Sequence, residues 1–130
     1  QRFLNREVRK VYMRGAKRVE KELIYEALVF FAAIAVVART WTNNELTLIL
    51  SGLLWIIAFV LWHTKHDLIR FLVAAVLGPV TEIIAIQYGV WHYSNPSFLG
   101  IPVWLPLLWG FAGVMIARIT ETIIVLVKLR

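Results

Sequence analysis

The chain contains four long apolar segments, and these constrain its fold more than any other feature. They are residues 23–41, 46–62, 71–93 and 102–127. Each supplies about 17 or more residues, which as a helix cross a bilayer core about 30 Å thick. Lipid cannot satisfy free backbone N–H and C=O groups, so the segments must be helical. With 60% hydrophobic residues overall, the sequence predicts an all-α, polytopic membrane protein, a four-transmembrane-helix bundle.

The first 22 residues differ sharply from the rest of the chain. Apolar residues recur there three or four positions apart, which is the spacing of one helical face. The other faces carry the basic residues Arg2, Arg6, Arg9, Lys10, Arg14, Lys17, Arg18 and Lys21. The pattern predicts a basic amphipathic interfacial helix on the cytoplasmic surface, bound to membrane lipids or to a partner subunit. Because this helix leads directly into a membrane span, we expect no nucleic-acid partner.

The Lys and Arg residues also predict the orientation of the spans. They cluster before the first span, between the second and third spans, and after the fourth, whereas the two remaining loops carry only Arg39. Cytoplasmic loops are enriched in Lys and Arg, so we expect a multi-pass protein of the cell (inner, cytoplasmic) membrane with both termini cytoplasmic. The chain has no cysteine, which excludes disulfides and thiolate metal sites.

Glu82 is the only formal charge between residues 71 and 93, and it lies near the middle of that predicted span. A carboxylate in the bilayer centre costs about 3 kcal/mol on insertion scales, so we expect a specific partner for it. Three interpretations stay open: a neutral, hydrogen-bonded carboxyl group, an ion pair with Arg118 or with another subunit, and a ligand-binding or catalytic acid. On the predicted spans Arg118 is offset from Glu82 by roughly 7 Å. Glu121 lies on the same helix and competes for Arg118.

Small residues on the third and fourth spans predict that these two helices pack closely. They are Ala74, Gly78, Gly110, Gly113 and Ala117. Small residues allow helix backbones to approach each other in membranes. We therefore expect the two faces to meet and the carboxylate of Glu82 to point into the bundle.

The segment that joins the third and fourth spans combines ring-bearing side chains with turn-forming residues. The rings belong to Trp91, His92, Tyr93, Trp104 and Trp109, and they alternate with Asn-Pro and Gly-x-Pro turns. Such turns make a loop stiff. Two interpretations are open: an outer hairpin anchored at the membrane interface by its rings, or an aromatic lid over a lipid-sized cavity above Glu82.

Seven residues of this region follow one pattern: a membrane glutamate, a glycine and a tyrosine, a Leu-Gly-x-Pro turn, and a tryptophan early in the next helix. They are Glu82, Gly89, Tyr93, Leu99, Gly100, Pro102 and Trp109. The pattern resembles that of polytopic carotenoid-biosynthesis proteins of the hydratase and lycopene-cyclase type, over about a third of the chain. Those proteins are usually longer, and no second acidic motif matches theirs here. The resemblance implies that Glu82 protonates a polyene and that the aromatic rings stabilise the carbocation.

His63, His66 and Asp67 form the one sequence cluster with metal-ligand spacing. His-x-x-His places two rings on one helical face, but two His and one Asp without a fourth ligand make an incomplete site. We therefore expect no metal centre. No phosphate-binding, zincin or haem-binding motif is present either, so we expect no cofactor.

These features leave three functions open. The first, which we favour, is a non-catalytic accessory or structural subunit of a larger membrane protein complex, because the chain is small and lacks a complete catalytic set. The second is a small membrane enzyme that acts on an isoprenoid or another lipid with Glu82 as acid. The third is a protomer of an oligomeric transporter or channel. The expected partners are membrane lipids and other membrane protein subunits.

Overall fold

The computed structural model of the protein describes residues 6–62 and 64–129 and confirms the predicted all-α bundle. The helices are α1 (Arg6–Thr40), α2 (Asn44–Trp62), α3 (Lys65–Gln87) and α4 (Leu105–Leu129). All four are long and apolar enough to cross a bilayer. Within the described residues, β-structure is limited to one isolated bridge between Phe98 and Ile101. The chain is therefore a multi-pass integral membrane protein.

The basic N-terminal segment and the first predicted span form one unbroken helix, α1. Its 35 residues extend about 52 Å, well beyond a hydrocarbon core about 30 Å thick. The predicted boundary near residue 22 is therefore not a break in the helix. Residues 1–5, which include Arg2, lie outside the described residues.

The third helix begins and ends six residues earlier than the predicted span 71–93. Thr64 caps its first turn, because the Thr64 hydroxyl accepts from the Asp67 N–H and the Asp67 carboxylate accepts from the Thr64 N–H at 2.8 Å. This reciprocal pair is a capping box. At the other end Gly89 adopts a φ of +74°. The N–H groups of Gly89 and Val90 bond back into the last turn, as in a Schellman motif, so α3 ends at Gln87.

The central helix of the bundle is α4. It contacts α1, α2 and α3, and α1 also packs on α2. One buried cluster joins α1, α2 and α4 through Ala33, Ala58, Phe111 and Met115. Between α2 and α3 the Trp55 and Phe71 rings lie 4.6 Å apart, centroid to centroid. α3 therefore packs mainly on α4, α1 packs on both α4 and α2, and the Trp55 and Phe71 rings connect α2 to α3.

The predicted small residues lie where α3 and α4 meet. A Cβ added to Gly113 would lie 2.4 Å from the Ala74 Cβ, so the two helices are in direct contact there. Gly78 and Gly110 instead make room for rings, since Trp109 covers Gly78 and Phe71 covers Gly110. Ala117, the remaining member of the set, is partly buried on α4.

The two ends of the bundle differ in chemistry. One end, called here the loop end, carries residues 41–43 and the loop 88–104. The other, the basic end, carries the N-terminal half of α1, the connection from α2 to α3, and the C-terminus of α4. The long α1 extension with its Arg and Lys residues belongs to the basic end.

Candidate functional site

Glu82 lies close to the loop end of the bundle, five residues before the end of α3. That is about 8 Å of helix from Gln87, so the prediction of a carboxylate in the middle of its span is wrong. The span had been placed too far along the chain, because its aromatic continuation to Tyr93 belongs to the loop. The residue is nonetheless only 8% exposed, and a carboxylate with so little access to water needs hydrogen-bond partners.

Two ring-bearing side chains supply those partners. The Trp109 indole Nε1–H donates to Glu82 Oε2 at 2.5 Å, and the Tyr93 hydroxyl donates to Glu82 Oε1. Hydrogen bonds with one charged partner are roughly twice as strong as neutral ones. Each carboxylate oxygen therefore has a donor, and the three side chains form one unit.

Trp109 reaches Glu82 because residue 78 is a glycine. The indole of Trp109 lies against the Gly78 backbone, where an added Cβ would be 2.2 Å from Trp109 Cδ2. Gly78 and Glu82 are four residues apart and share one face of α3. The indole thus lies along α3 with its N–H directed at the carboxylate one turn further on.

Tyr93 is positioned by the loop 88–104. Its ring meets the Trp104 ring edge-on, with centroids 6.3 Å apart and an interplanar angle of 90°. Trp104 is 5% exposed and donates its Nε1–H to Asn44 Oδ1 at 3.1 Å. The Asn44 amide in turn donates to the Asn95 carbonyl at 2.8 Å. The start of α2 therefore fixes the loop that holds Tyr93 over Glu82.

A tight turn completes the loop. Leu99 and Gly100 have positive φ values, 49° and 85°, and Ile101 N–H donates to the Phe98 carbonyl at 2.8 Å. Type I′ hairpin turns require a positive φ at both central residues, and Gly adopts such a φ readily. The turn delivers Ile101, which is fully buried, into a cluster with Trp104 and Leu105. The loop thus folds back over the bundle.

A groove runs beside the carboxylate. It is lined by Glu82, Tyr93, Leu105, Leu108, Trp109 and Ala112. The four α4 residues follow the three- and four-residue spacing of one helical face. Burial raises the pKa of the Tyr93 hydroxyl, and the hydrogen bond to Glu82 and the charge of Glu82 raise that pKa further. The phenol therefore keeps its proton and remains a donor to the carboxylate.

The structure places Arg118 on Asp67, so the predicted ion pair between Glu82 and Arg118 does not form. Arg118 Nη2 donates to Asp67 Oδ2, and the two side chains are only 13% and 3% exposed. Ala74 faces Gly113, and Gly78 faces Trp109. In this register Arg118 is level with residue 69, roughly 20 Å from Glu82 along the helix. The smaller predicted offset assumed that α3 extends to Tyr93.

Glu121 does not compete for Arg118 but pairs with Arg70 across α3 and α4. Arg70 also donates to Asp67 at 3.3 Å.

Asp67, part of the weak metal candidate, therefore bonds Arg118, Arg70 and the Thr64 N–H. Of its two proposed co-ligands, His66 is exposed and His63 lies outside the described residues. No group of three metal-ligating side chains occurs in the described part of the chain.

A buried polar contact that the sequence reasoning missed joins α1 to α4. Glu26 is 1% exposed, and its Oε1 accepts from the Thr122 hydroxyl at 2.5 Å. Its Oε2 has no hydrogen-bond partner among the described residues. The sequence did contain a signal for this contact, because Glu26 interrupts the apolar start of the first span and Thr122 lies on the predicted fourth helix. Thr47, fully buried, bonds the Thr40 carbonyl at 2.5 Å and was missed as well.

The predicted ring-bearing set divides between the site and the surface. Tyr93 and Trp109 contact Glu82, and Trp104 supports Tyr93. Trp91 is 44% exposed and His92 is exposed, so neither contributes to the site. Trp109 belongs to the first turns of α4 and not to the loop.

Comparison of the chain with protein-family models, with curated protein sequences and with solved structures finds no match. The assignment of a function therefore depends on the chemistry of the site.

Proposed function

We propose that the protein is a non-catalytic accessory protein of the membrane, and that it binds a lipid in the groove beside Glu82. One observation carries the proposal: the buried carboxylate, held by Tyr93 and Trp109, lies in the wall of an otherwise apolar groove. Ligand sites commonly combine an apolar wall with a few fixed polar groups that orient the ligand. A lipid with a polar group can contact both the apolar wall and the fixed polar groups of this site.

The composition of the groove favours binding over chemistry. Its lining contains one carboxylate, one phenol, one indole and three aliphatic side chains. A nucleophile with an adjacent base, or a pair of carboxylates, is what hydrolysis and group transfer require. Neither arrangement lines this groove.

The contacts between the helices and the charge distribution of the chain support the accessory role. The bundle is formed by four helices, and the polar contacts between them at Glu26, Asp67 and Glu82 hold the bundle together. We place the protein in the cell membrane with both termini cytoplasmic, because Lys and Arg concentrate at the basic end. A larger membrane complex is the natural setting for such a subunit, with the other subunits and the lipids as partners.

The experiment extracts the protein from its native membrane in dodecyl maltoside and identifies bound lipid by mass spectrometry. Wild-type protein is expected to retain a stoichiometric lipid. Ala112→Phe fills the groove and should remove most of that lipid. The control Ile124→Phe enlarges a side chain that is 47% exposed and lies twelve residues further along α4, and this variant should retain the lipid. Equal lipid content in the two variants would contradict binding in the groove.

The same extraction tests the accessory role. A defined set of other membrane subunits in fixed proportion to this chain supports that role. Recovery of the chain without such a set, even after crosslinking in the membrane before extraction, would contradict it.

A second candidate function is an enzyme that acts on an isoprenoid, with Glu82 as the acid. The observation that favours it is the pair of rings at the carboxylate, since Trp and Tyr faces attract a developing carbocation. The test incubates the purified protein with an acyclic carotenoid and follows the loss of the substrate absorbance. Conversion that Glu82→Gln abolishes would establish the enzyme, and the absence of conversion by folded protein would reject it.

A further inference from the structure

No basic side chain of the described residues pairs with the Glu82 carboxyl group. The ion pairs that involve Asp67 and Glu121 use Arg70 and Arg118 and lie towards the basic end, and Lys10 pairs with Glu7 on α1. The donors that Glu82 does have, an indole and a phenol, are neutral groups. Each carboxylate oxygen has two acceptor positions, and each accepts one hydrogen bond from the protein. A carboxylate at this site therefore has unused acceptor positions and no cation beside it.

The two rings beside the carboxylate suit the same kind of ligand. The face of a Trp or Tyr ring attracts a cation, and the attraction grows where water is excluded. Trp109 and Tyr93 line the groove together with the carboxylate to which they are bonded. Their hydrogen bonds hold both rings close to the single negative charge.

The rest of the groove lining is apolar. Leu105, Leu108 and Ala112 continue the same face of α4 away from the carboxylate. Leu105 is 3% exposed, and Leu108 packs with Ile101 and Trp104 in the loop cluster. A ligand that fills this groove has an apolar body next to its charged group.

We infer that the groove binds lipophilic organic cations, in which a quaternary onium or ammonium centre lies between Glu82, Tyr93 and Trp109 and an apolar body lies along α4. This inference rests on the proposed function and names the ligand class of the same site. It excludes two other lipid classes as preferred ligands. An anionic headgroup is repelled by the Glu82 carboxylate, and a neutral polyene gains nothing from its charge.

The probe is tetraphenylphosphonium, and its uncharged counterpart is triphenylphosphine oxide. Binding of each to the whole chain in dodecyl maltoside is measured by isothermal titration calorimetry. Wild-type protein is expected to bind the cation about tenfold or more tightly than the neutral compound. Glu82→Gln should bring the two affinities together, and Glu82→Asp, which keeps the charge, should preserve the preference.

Glu121→Gln is the matched control, since it removes one negative charge from an exposed ion pair far from the groove. Its preference for the cation should equal that of the wild-type protein. Equal affinity of wild-type protein for the two probes would overturn the inference, whether or not any variant folds. A preference that survives in folded Glu82→Gln would overturn it as well.

The outcomes separate this inference from the proposed function. If Ala112→Phe abolishes binding of both probes while wild-type protein does not distinguish them, the groove binds ligands and the cation preference is wrong. If Ala112→Phe retains all bound lipid and both probes, the groove is not a ligand site and the proposed function fails with it.

Discussion

Gly78→Ala is the sharpest test of how the site is built. The added Cβ would lie 2.2 Å from Trp109 Cδ2 and 2.3 Å from Trp109 Cγ, whereas ordinary contact begins at 3.4 Å. The nearest ring atom must therefore move by at least 1.2 Å, the difference between 3.4 and 2.2 Å. Cγ is bonded directly to the Trp109 Cβ, so rotation about χ2 does not move it, and only a change in χ1 or in the backbone does. The substitution must therefore either turn the indole away from Glu82 or separate α3 from α4 locally.

Two costs follow from that displacement. Overpacking of a tight contact typically costs about 1–3 kcal/mol. A shift of this size also takes the Trp109 Nε1–H out of hydrogen-bond range of Glu82, which in membrane proteins costs about 0.6–1.7 kcal/mol. The higher helix propensity of Ala relative to Gly offsets up to about 1 kcal/mol of these two costs. We expect Gly78→Ala to lower the free energy of unfolding by about 1–4 kcal/mol.

The assay is equilibrium unfolding in mixed micelles of dodecyl maltoside and SDS, followed by far-UV circular dichroism. Gly52→Ala is the matched control, because its new Cβ would lie 3.8 Å from Leu107 Cδ2, an ordinary contact. The control should unfold at the same SDS fraction as the wild-type protein or a slightly higher one. If Gly78→Ala unfolds at the same SDS fraction as Gly52→Ala, the contact between Gly78 and Trp109 is not as described.

Three further predictions concern the other polar contacts. Arg118→Leu removes the more buried of the two cations that pair with Asp67 and leaves only Arg70, so it should cost up to about 3 kcal/mol in the same unfolding assay; a loss below about 1 kcal/mol, the value of an exposed pair, would contradict the buried geometry. In double-mutant cycles Arg118→Leu should couple with Asp67→Asn but be additive with Glu82→Gln, and coupling to Glu82 would contradict the register of α3 on α4. Asn44→Leu removes the hydrogen bonds to the loop 88–104 and should cost about 1–3 kcal/mol; its loop should be cleaved faster by protease, and an unchanged cleavage rate would show that Asn44 does not hold it.

Patterns that depend on one helix at a time were readable from the sequence. The apolar lengths predicted four helices, and the helices of the structure include most of each predicted span. The end of α3 was also readable, because Gly89 is the residue type that a Schellman cap requires. It was missed since the aromatic residues after Gly89 continue the apolar run. Composition alone does not distinguish a helix from a loop that folds back onto the bundle.

Contacts that depend on the register between helices were not readable in the same way. One of the three interpretations paired Glu82 with Arg118 on the basis of a predicted offset of roughly 7 Å, but an antiparallel pair of helices can slide by a full turn with similar small-residue contacts. A shift of six residues in the end of α3 moves a side chain by about 9 Å along the axis. That distance decides whether Arg118 reaches Glu82 or Asp67. The partners of Glu82 were foreseeable only as members of a ring-bearing set, not individually.

Each of the three buried carboxylates has a hydrogen-bond or ion-pair partner on α4, and these partners lie at different positions along that helix. Thr122 bonds Glu26, Arg118 pairs with Asp67, and Trp109 bonds Glu82. Between the levels of Trp109 and Arg118 the helix has no polar side chain over residues 110–117, a distance of about 13 Å.

This apolar interval separates the carboxylate of the groove from the ionic contacts of the basic end. A proton or ion path through one chain needs polar groups within hydrogen-bond reach of each other, and α4 supplies none across that interval. A path along α4 alone is therefore interrupted, and a transporter would need polar groups from other helices or other chains across this interval. In the function proposed above, the groove at the loop end offers a carboxylate to a ligand, whereas the ionic contacts at the basic end hold α3 on α4.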